Sequence, residues 1–335
     1  MKLLNIKITR RTVQIGLGSL WLFDSLLQLQ RQMFTSNFAN QVIANAAQGQ
    51  PHIVSGPMHF FVHIFLYNPV LFNSFTVITQ LALGILILNK RTTRLGLIFS
   101  IGWGLFVWYI GEGFGGIFGL HTLILMGAPG AALIYAILAL AVMPPKPEPK
   151  TKTDNSPAYW LAFVWAFLWI GGAIYQLFSW QNNVSAISSM LSNNSNNMPG
   201  WLASLDIHLS NVINGFGNGA NSPSAMHMSA TQMTQMQPQQ YAGFWFILLL
   251  AMLQAVIGIA VLFPGYIRKI AIGLGIILSL IFWVVGQSFG GIFTGLSTDP
   301  NSGPLFILLG IAILSCPNID QKISKFIDHL ESMLT

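Results

Sequence analysis

Charge is what this chain has least of. Of its 335 residues only 7% are Asp, Glu, Lys or Arg, while 53% are hydrophobic. A soluble globule devotes about a quarter of its residues to charge, so a water-soluble fold is excluded. Cysteine is scarcer still. Cys316 stands alone, which excludes an internal disulfide, an iron–sulfur cluster and a thiolate zinc cage. The signatures of soluble enzymes are missing too: there is no P-loop, no HExxH, no GxSxG, and no GxGxxG that opens a soluble βαβ unit.

What is present is apolar sequence in runs close to the twenty residues that cross about 30 Å of hydrocarbon. The runs fall at 12–30, 70–89, 95–114, 124–143, 157–180, 243–263, 269–289 and 302–316, the last short for a full crossing. They predict an all-α polytopic membrane protein with about eight transmembrane helices. The basic N-terminus leads into the first run with no small-residue cleavage site before Gln28–Gln30, so that run is read as a retained span.

A net charge of +6 would point to nucleic acid in a soluble chain. Here the basic residues set topology instead, the bilayer is the expected partner, and no nucleic acid is expected. Lys2, Lys7, Arg10 and Arg11 precede the first run, and Lys90, Arg91 and Arg94 join the second to the third. Lys146, Lys150 and Lys152 follow the fourth, and Arg268 and Lys269 join the sixth to the seventh. The alternate loops hold only Arg31, Asp206 and Asp299. The positive-inside rule then predicts a cell-membrane protein with both termini cytoplasmic and those alternate loops outside.

The phrase GEGFGGIFG at Gly111–Gly119 returns as GQSFGGIFTG at Gly286–Gly295. Other pairs accompany it: Leu20-Trp21 with Leu168-Trp169, Gln28 with Gln176, Gln80 with Gln254, Gly84 with Gly258, Arg94 with Arg268, and Ala128-Pro129 with Gly303-Pro304. Four spans per copy insert both copies the same way up, which predicts two parallel four-helix repeats. The first repeat is read as 1–147 and the second as 148–318, with a long polar outer loop at about 181–241. The boundary is PPKPEPKTKTDNSP at Pro144–Pro157, a stiff proline- and lysine-rich linker. Gly115-Gly116 and Gly290-Gly291 are read as left-handed helix ends, and Pro129 and Pro304 as first-turn residues of the next helix. In the tail, 319–335, Ile319, Ile323, Phe326, Ile327, Leu330 and Leu334 form one stripe. An amphipathic helix on the inner membrane surface, or docked on a partner, is the expectation.

A GLGxxWL-type span, an outer loop, a span ending near Gly84, the basic turn Thr93-Arg94 and two further spans resemble the DoxX/DoxD-like four-helix membrane proteins. The resemblance applies to each half, so the chain is similar to two such units in tandem. DoxD is the membrane subunit of archaeal thiosulfate:quinone oxidoreductase, and the resemblance implies a redox-associated, quinone-linked membrane subunit among other redox-complex subunits. Where that family often carries Glu in its second span, this chain has Gln80 and Gln254.

An ionisable side chain inside a span is a functional candidate, because it costs about 2.5–3.5 kcal/mol to insert. Asp24 and Glu112 are the two here, about 20 Å and about 26 Å above the inner ends of their helices at 1.5 Å per residue. Both are candidates for handling protons. The second copy has Gly172 and Gln287 at the matching positions, so one site keeps its acids and its twin does not. Gln28, Gln80, Gln176, Gln254 and Gln287 are candidate cofactor-binding amides. Solvation of Glu112 at the surface, and a helix-capping role for Asp24, are the structural alternatives.

His59 and His63 share a helix face and could hold a metal, with His52, His121 and His208 on the same side. Met226, His227 and Met228 sit in a Met-rich stretch whose thioether and imidazole donors suit Cu(I). Three functions follow: the quinone-linked redox subunit, a transporter or copper-handling protein, and a non-catalytic scaffold held through its tail helix.

Overall fold

The computed structural model describes residues 8–120, 122–145, 156–178, 183–196, 198–215, 238–317 and 319–334, and among them the regular structure is entirely helical. The helices are α1 (Arg10–Gln28), α2 (Ala44–Ala47), α3 (His52–Tyr67), α4 (Pro69–Leu88), α5 (Thr93–Ile110), α6 (Ala131–Ala141) and α7 (Leu161–Phe178). They continue as α8 (Val184–Asn194), α9 (Gly200–Gly215), α10 (Pro238–Ala260), α11 (Tyr266–Ile281), α12 (Ser302–Leu314) and α13 (Ile319–Leu334).

Five of these are long and apolar enough to cross a membrane: α4, α5, α7, the Gly243–Ala260 part of α10, and α11 extended to Gly286. Their outward faces are apolar. Ile78, Leu81 and Ile85 on α4 and Leu95, Ile98 and Phe99 on α5 are all exposed, as expected where the solvent is hydrocarbon. The chain is therefore a helical membrane protein. Helix α1 is of similar length, but Arg10, Arg11, Gln14, Asp24 and Gln28 dilute its apolar character; α6 and α12 are apolar but short.

Local chemistry sets the helix ends. Thr9 closes a capping box on α1, and Asn68 caps α4, whose first residue is Pro69. The run at 124–143 behaves differently from its reading as a continuous span. Ile124–Met126 form a single 3₁₀ turn, Gly127 and Gly130 take positive φ, and α6 starts only at Ala131. Proline has no N–H and disfavours helix in the residue before it, so Pro129 ends up ahead of the N-cap rather than in the first turn. Pro304 does sit in the first turn of α12.

The same packing is written twice. A Cβ on Gly84 of α4 would stand 2.9 Å from the Gly18 oxygen and against Leu22 of α1, whereas a Cβ on Gly258 of α10 would stand 3.0 Å from the Ala166 oxygen and against Ile170 of α7. Each glycine lets two backbones touch at a crossing where any side chain would wedge them apart. At the basic ends, guanidinium groups close both helices. Arg11 donates to the carbonyls of Ile87 and Leu88, and Arg268 to those of Val261 and Leu262. Helices α6 and α12 are the seam, since α12 packs against α1, α6 and α7 as well as α11. Trp165 and Trp169 of α7 are fully buried there and meet Phe306 of α12 edge-to-face.

The tail forms α13, as its stripe predicts. Its start docks on protein: Asp320 pairs with Arg268 and accepts from the Gly265 amide, Lys322 donates to Ser156, and Ile323 is buried.

Candidate functional site

Each glycine phrase folds into an unusual turn. Gly113, Phe114, Gly115 and Gly116 all have φ between 53° and 75°, and Ser288, Phe289, Gly290 and Gly291 have φ between 43° and 72°. Four successive left-handed residues demand glycine wherever the chain also touches a neighbour, and Gly115 and Gly290 press on Pro129 and Pro300 respectively. The phenylalanine in each turn offsets its strain by packing: Phe114 stacks on Tyr109 at 4.7 Å and meets Trp108 edge-on, and Phe289 meets Trp283 and Trp201. Trp108 Nε1 donates to the Pro129 oxygen and Trp283 Nε1 to the Pro300 oxygen, both at 2.7 Å. Pro129 thus corresponds to Pro300. The pairing of Ala128-Pro129 with Gly303-Pro304 read from sequence is replaced by this one, because the indole bonds fix the register.

That register explains the acid and the amide. Glu112 Oε1 accepts the Ala132 amide at 3.1 Å, and Gln287 Oε1 accepts the Gly303 amide at 3.0 Å. Both side chains hold the first turn of the following helix. Their second atoms differ. Gln287 Nε2 donates to Ser302 Oγ at 3.2 Å, while Glu112 Oε2 is out of solvent with no partner, since Ala131 has no hydroxyl to offer. Glu112 keeps one oxygen free.

The surroundings of Glu112 include a segment from the other half of the chain. The segment Ser297–Asn301 lies against the Glu112 turn, and Asp299 couples electrostatically to Glu112 and Asp24. Asp299 accepts from Thr298 Oγ1 and from the Asn301 amide, both at 2.7 Å. Burial pushes its carboxyl above the ordinary value of 3.8, against the pull of those two hydrogen bonds. The reciprocal segment does the opposite. Ile124 lies against Gly172 and Leu125 against Gly286, so apolar side chains fill the matching place in the second half. Acids border the first site, and Ile124 and Leu125 stand beside the matching glycines of the second half.

Two cavities meet at Glu112. One, of about 280 Å³, is bordered by Glu112, Ser297, Thr298, Asp299, Asn301 and Thr122. The other, of about 490 Å³, is lined by Phe61, Phe65, Phe72, Phe75, Trp103 and Phe106, drawn from α3, α4 and α5. Polar groups in its lining are Gln28, Thr76, Gln80, Glu112, Thr298 and the Trp103 indole. Glu112, Gly111, Val42 and Thr298 border both. An apolar aromatic chamber with a few convergent polar groups is the usual form of a small-molecule site.

Asp24 lines neither cavity. It is buried beside Tyr135 of α6, whose ring packs on Trp21 at 4.3 Å, and neither carboxylate oxygen meets a hydrogen-bond partner of good geometry. Gln28 Nε2 donates to Asn73 Oδ1 at 2.5 Å, and Asn73 Nδ2 returns a bond to the Gln28 carbonyl. Gln80 lies beside the apolar cavity, and Gln176 and Gln254 are buried in the second half with both amide atoms unpartnered. The structure thus brings Glu112, Gln28 and Gln80 to one chamber, while Gln176, Gln254 and Gln287 are buried in the second half of the chain.

His59 and His63 share an exposed face of α3. Among the described residues no three of His, Cys, Asp and Glu stand close enough to hold a metal. His121, Met226, His227 and Met228 lie outside the described residues. Asp299 and the aromatic lining were missed from sequence. The scarcity of acids in the chain was the available signal for Asp299; the phenylalanines carried none. Compared with models of protein families, with curated proteins and with solved structures, the chain matches none.

Proposed function

We propose that this membrane protein binds a lipophilic amphiphile with an aromatic, hydrogen-bonding head of the quinone class, and that Glu112 and Asp299 exchange protons beside it. The observation that carries the reading is the position of Glu112. Glu112 borders both an aromatic chamber and an acid-lined cavity. The chamber suits a ring and the first part of a hydrocarbon tail. The amides of Gln28 and Gln80 supply directional bonds, and the carboxyls of Glu112 and Asp299 supply groups that gain and lose protons. Asp24 and Tyr135 lie deeper and extend the same set of titratable groups.

The redox-associated, DoxX/DoxD-like reading fits this site, with electrons supplied or removed by partner subunits. Eight spans in two parallel repeats, with the acid-bearing end facing outward, is the architecture we favour. The paired crossings at Gly84 and Gly258 and the paired indole bonds of Trp108 and Trp283 support it. In this architecture the second half is a structural partner that contributes Asp299 and receives Ile124 and Leu125 against Gly172 and Gly286.

The test is lipid extraction of protein purified in mild detergent, followed by chromatography and mass spectrometry, together with titration of short-chain quinone and quinol probes into protein in nanodiscs. Stoichiometric quinone-class lipid or saturable micromolar probe binding, weakened by Phe72→Ala or Phe106→Ala, is expected. Absence of both from folded protein overturns the reading.

A further inference from the structure

Resting on that reading and deepening it, we propose that the aromatic chamber opens sideways into the bilayer between α4 and α5. Its ligand then arrives dissolved in lipid and leaves its hydrocarbon tail lying along α5 over Gly102. Most side chains that border the chamber are buried or half-buried. The exposed ones are Leu71, Phe75 and Phe106, at 58%, 60% and 39%. All three belong to α4 or α5, two helices long and apolar enough to cross a membrane. They also lie on the faces of those helices that meet hydrocarbon. Leu71 and Phe75 share a face with the exposed Ile78 and Ile85, and Phe106 shares one with the exposed Leu95, Phe99 and Gly102. A side chain that both borders a cavity and reaches the surface marks the rim of an opening, and here the rim stands on lipid-facing helices.

The wall supplied by α3 and the segment before it carries no exposed residue. Phe38 and Ile43 are buried, and Val42, Phe61, Ile64 and Phe65 are half-buried. Phe65 is held there by ring contacts of 5.1 Å to Phe38 and 5.8 Å to Phe72. At 1.5 Å per residue, Phe75 lies about 9 Å along α4 from Pro69, and Phe106 about 6 Å back from the end of α5 at Ile110. The opening therefore sits within one leaflet, the one on the Glu112 side. Gly102 is one turn further in on α5. A Cβ there would have nothing within 4 Å, which leaves a notch in the lipid-facing surface next to the rim residue Phe106. A ligand whose head occupies the chamber passes its tail between Phe75 and Phe106 and onto this notch. The ligand class narrows accordingly to a membrane-dissolved amphiphile with an apolar chain that reaches past Gly102.

The experiment places the full chain in phosphatidylcholine nanodiscs with a decyl-tailed benzoquinone that carries a photoactivated diazirine in its tail. Irradiation is done with and without excess unlabelled decyl probe, and the adducts are mapped by mass spectrometry. Adducts suppressed by the competitor are expected within 71–78 and 95–106. Suppressible adducts confined to 38–50, 122–130 or 296–301 overturn this inference and leave the site assignment standing, because the tail would then leave toward the loops. Absence of any suppressible adduct removes the site assignment and this inference together. Gly102→Phe fills the notch with no neighbour to displace. It is expected to weaken the decyl probe at least about fivefold, while a tail-less benzoquinone stays within about a factor of two. Gly273 of α11 is equally free of neighbours, and Gly273→Phe is expected to leave both probes unchanged. Equal affinity of the decyl probe for wild type and Gly102→Phe overturns the inference. An equal loss in Gly273→Phe overturns it as well, since bulk on any lipid-facing surface would then explain the effect. The cross-linking needs no variant, so a misfolded Gly102→Phe does not spare the proposal.

Discussion

Replacing Glu112 with glutamine tests the relation between the two halves of the chain. The second half already carries that residue at the matching position, where Gln287 spends Oε1 on the Gly303 amide and Nε2 on Ser302 Oγ. In Glu112→Gln the first bond is retained, because Oε1 still accepts the Ala132 amide at about the present 3.1 Å. The second is not, since Ala131 is the counterpart of Ser302, and an amide NH₂ would replace an oxygen that now has no partner. One orphan takes the place of another, so the expected change in stability is below about 1 kcal/mol. The double variant Glu112→Gln with Ala131→Ser recreates the Gln287–Ser302 bond and is expected to gain about 1 kcal/mol over the single variant. For a chain of this size that is a rise of about 2 °C in midpoint. The assay is thermal unfolding in one detergent at one scan rate, with wild type, Ala131→Ser alone and both glutamine variants compared. A loss of more than about 3 kcal/mol in Glu112→Gln that Ala131→Ser fails to restore would refute the equivalence, because such losses mark a broken buried network.

Other perturbations separate the remaining contacts. Asp299 has a folded pKa raised above 3.8 by burial, so its contribution to stability is full at low pH and declines as pH rises from near 4, where the unfolded carboxyl ionises first. Asp299→Asn is expected to flatten that decline in midpoint against pH, and an unchanged slope would show that the carboxyl has the same pKa in the folded and unfolded chain. Gly84→Ala and Gly258→Ala are each expected to destabilise by about 1–3 kcal/mol, because either Cβ enters a backbone contact. Markedly unequal losses, read by thermal unfolding, would count against matched crossings. Asp320→Ala removes the partner of Arg268 and the acceptor of the Gly265 amide. Because Arg268 is buried and would lose its carboxylate, the variant is expected to lower the midpoint by several degrees and to raise the rate of proteolytic cleavage within 315–335, and unchanged cleavage would mean the tail is held by its other contacts.

How much of this was legible in the sequence depends on the distance over which each feature is decided. Helical class follows from run length and from the scarcity of charge, both local properties. The correspondence of Glu112 with Gln287 was also readable, because the flanking glycines, phenylalanine and tryptophan repeat around it. The proline pairing was misread for a specific reason. Ala128-Pro129 and Gly303-Pro304 look alike as dipeptides, but the indole bonds show that Pro300 occupies the equivalent turn. Asp299 looked like an ordinary loop charge, since nothing nearby in the chain marks it as a neighbour of Glu112.

What the sequence determined by itself is a helical membrane chain with a doubled glycine turn and an acid in only one copy. Run lengths, charge and repeated words act over a few helical turns. Only the tertiary structure decided that the two turns exchange neighbours, Asp299 going to one site and Ile124 and Leu125 to the other. Packing across the α6–α12 seam brings together residues far apart in the chain, and so decides whether acidic or apolar side chains stand beside each turn.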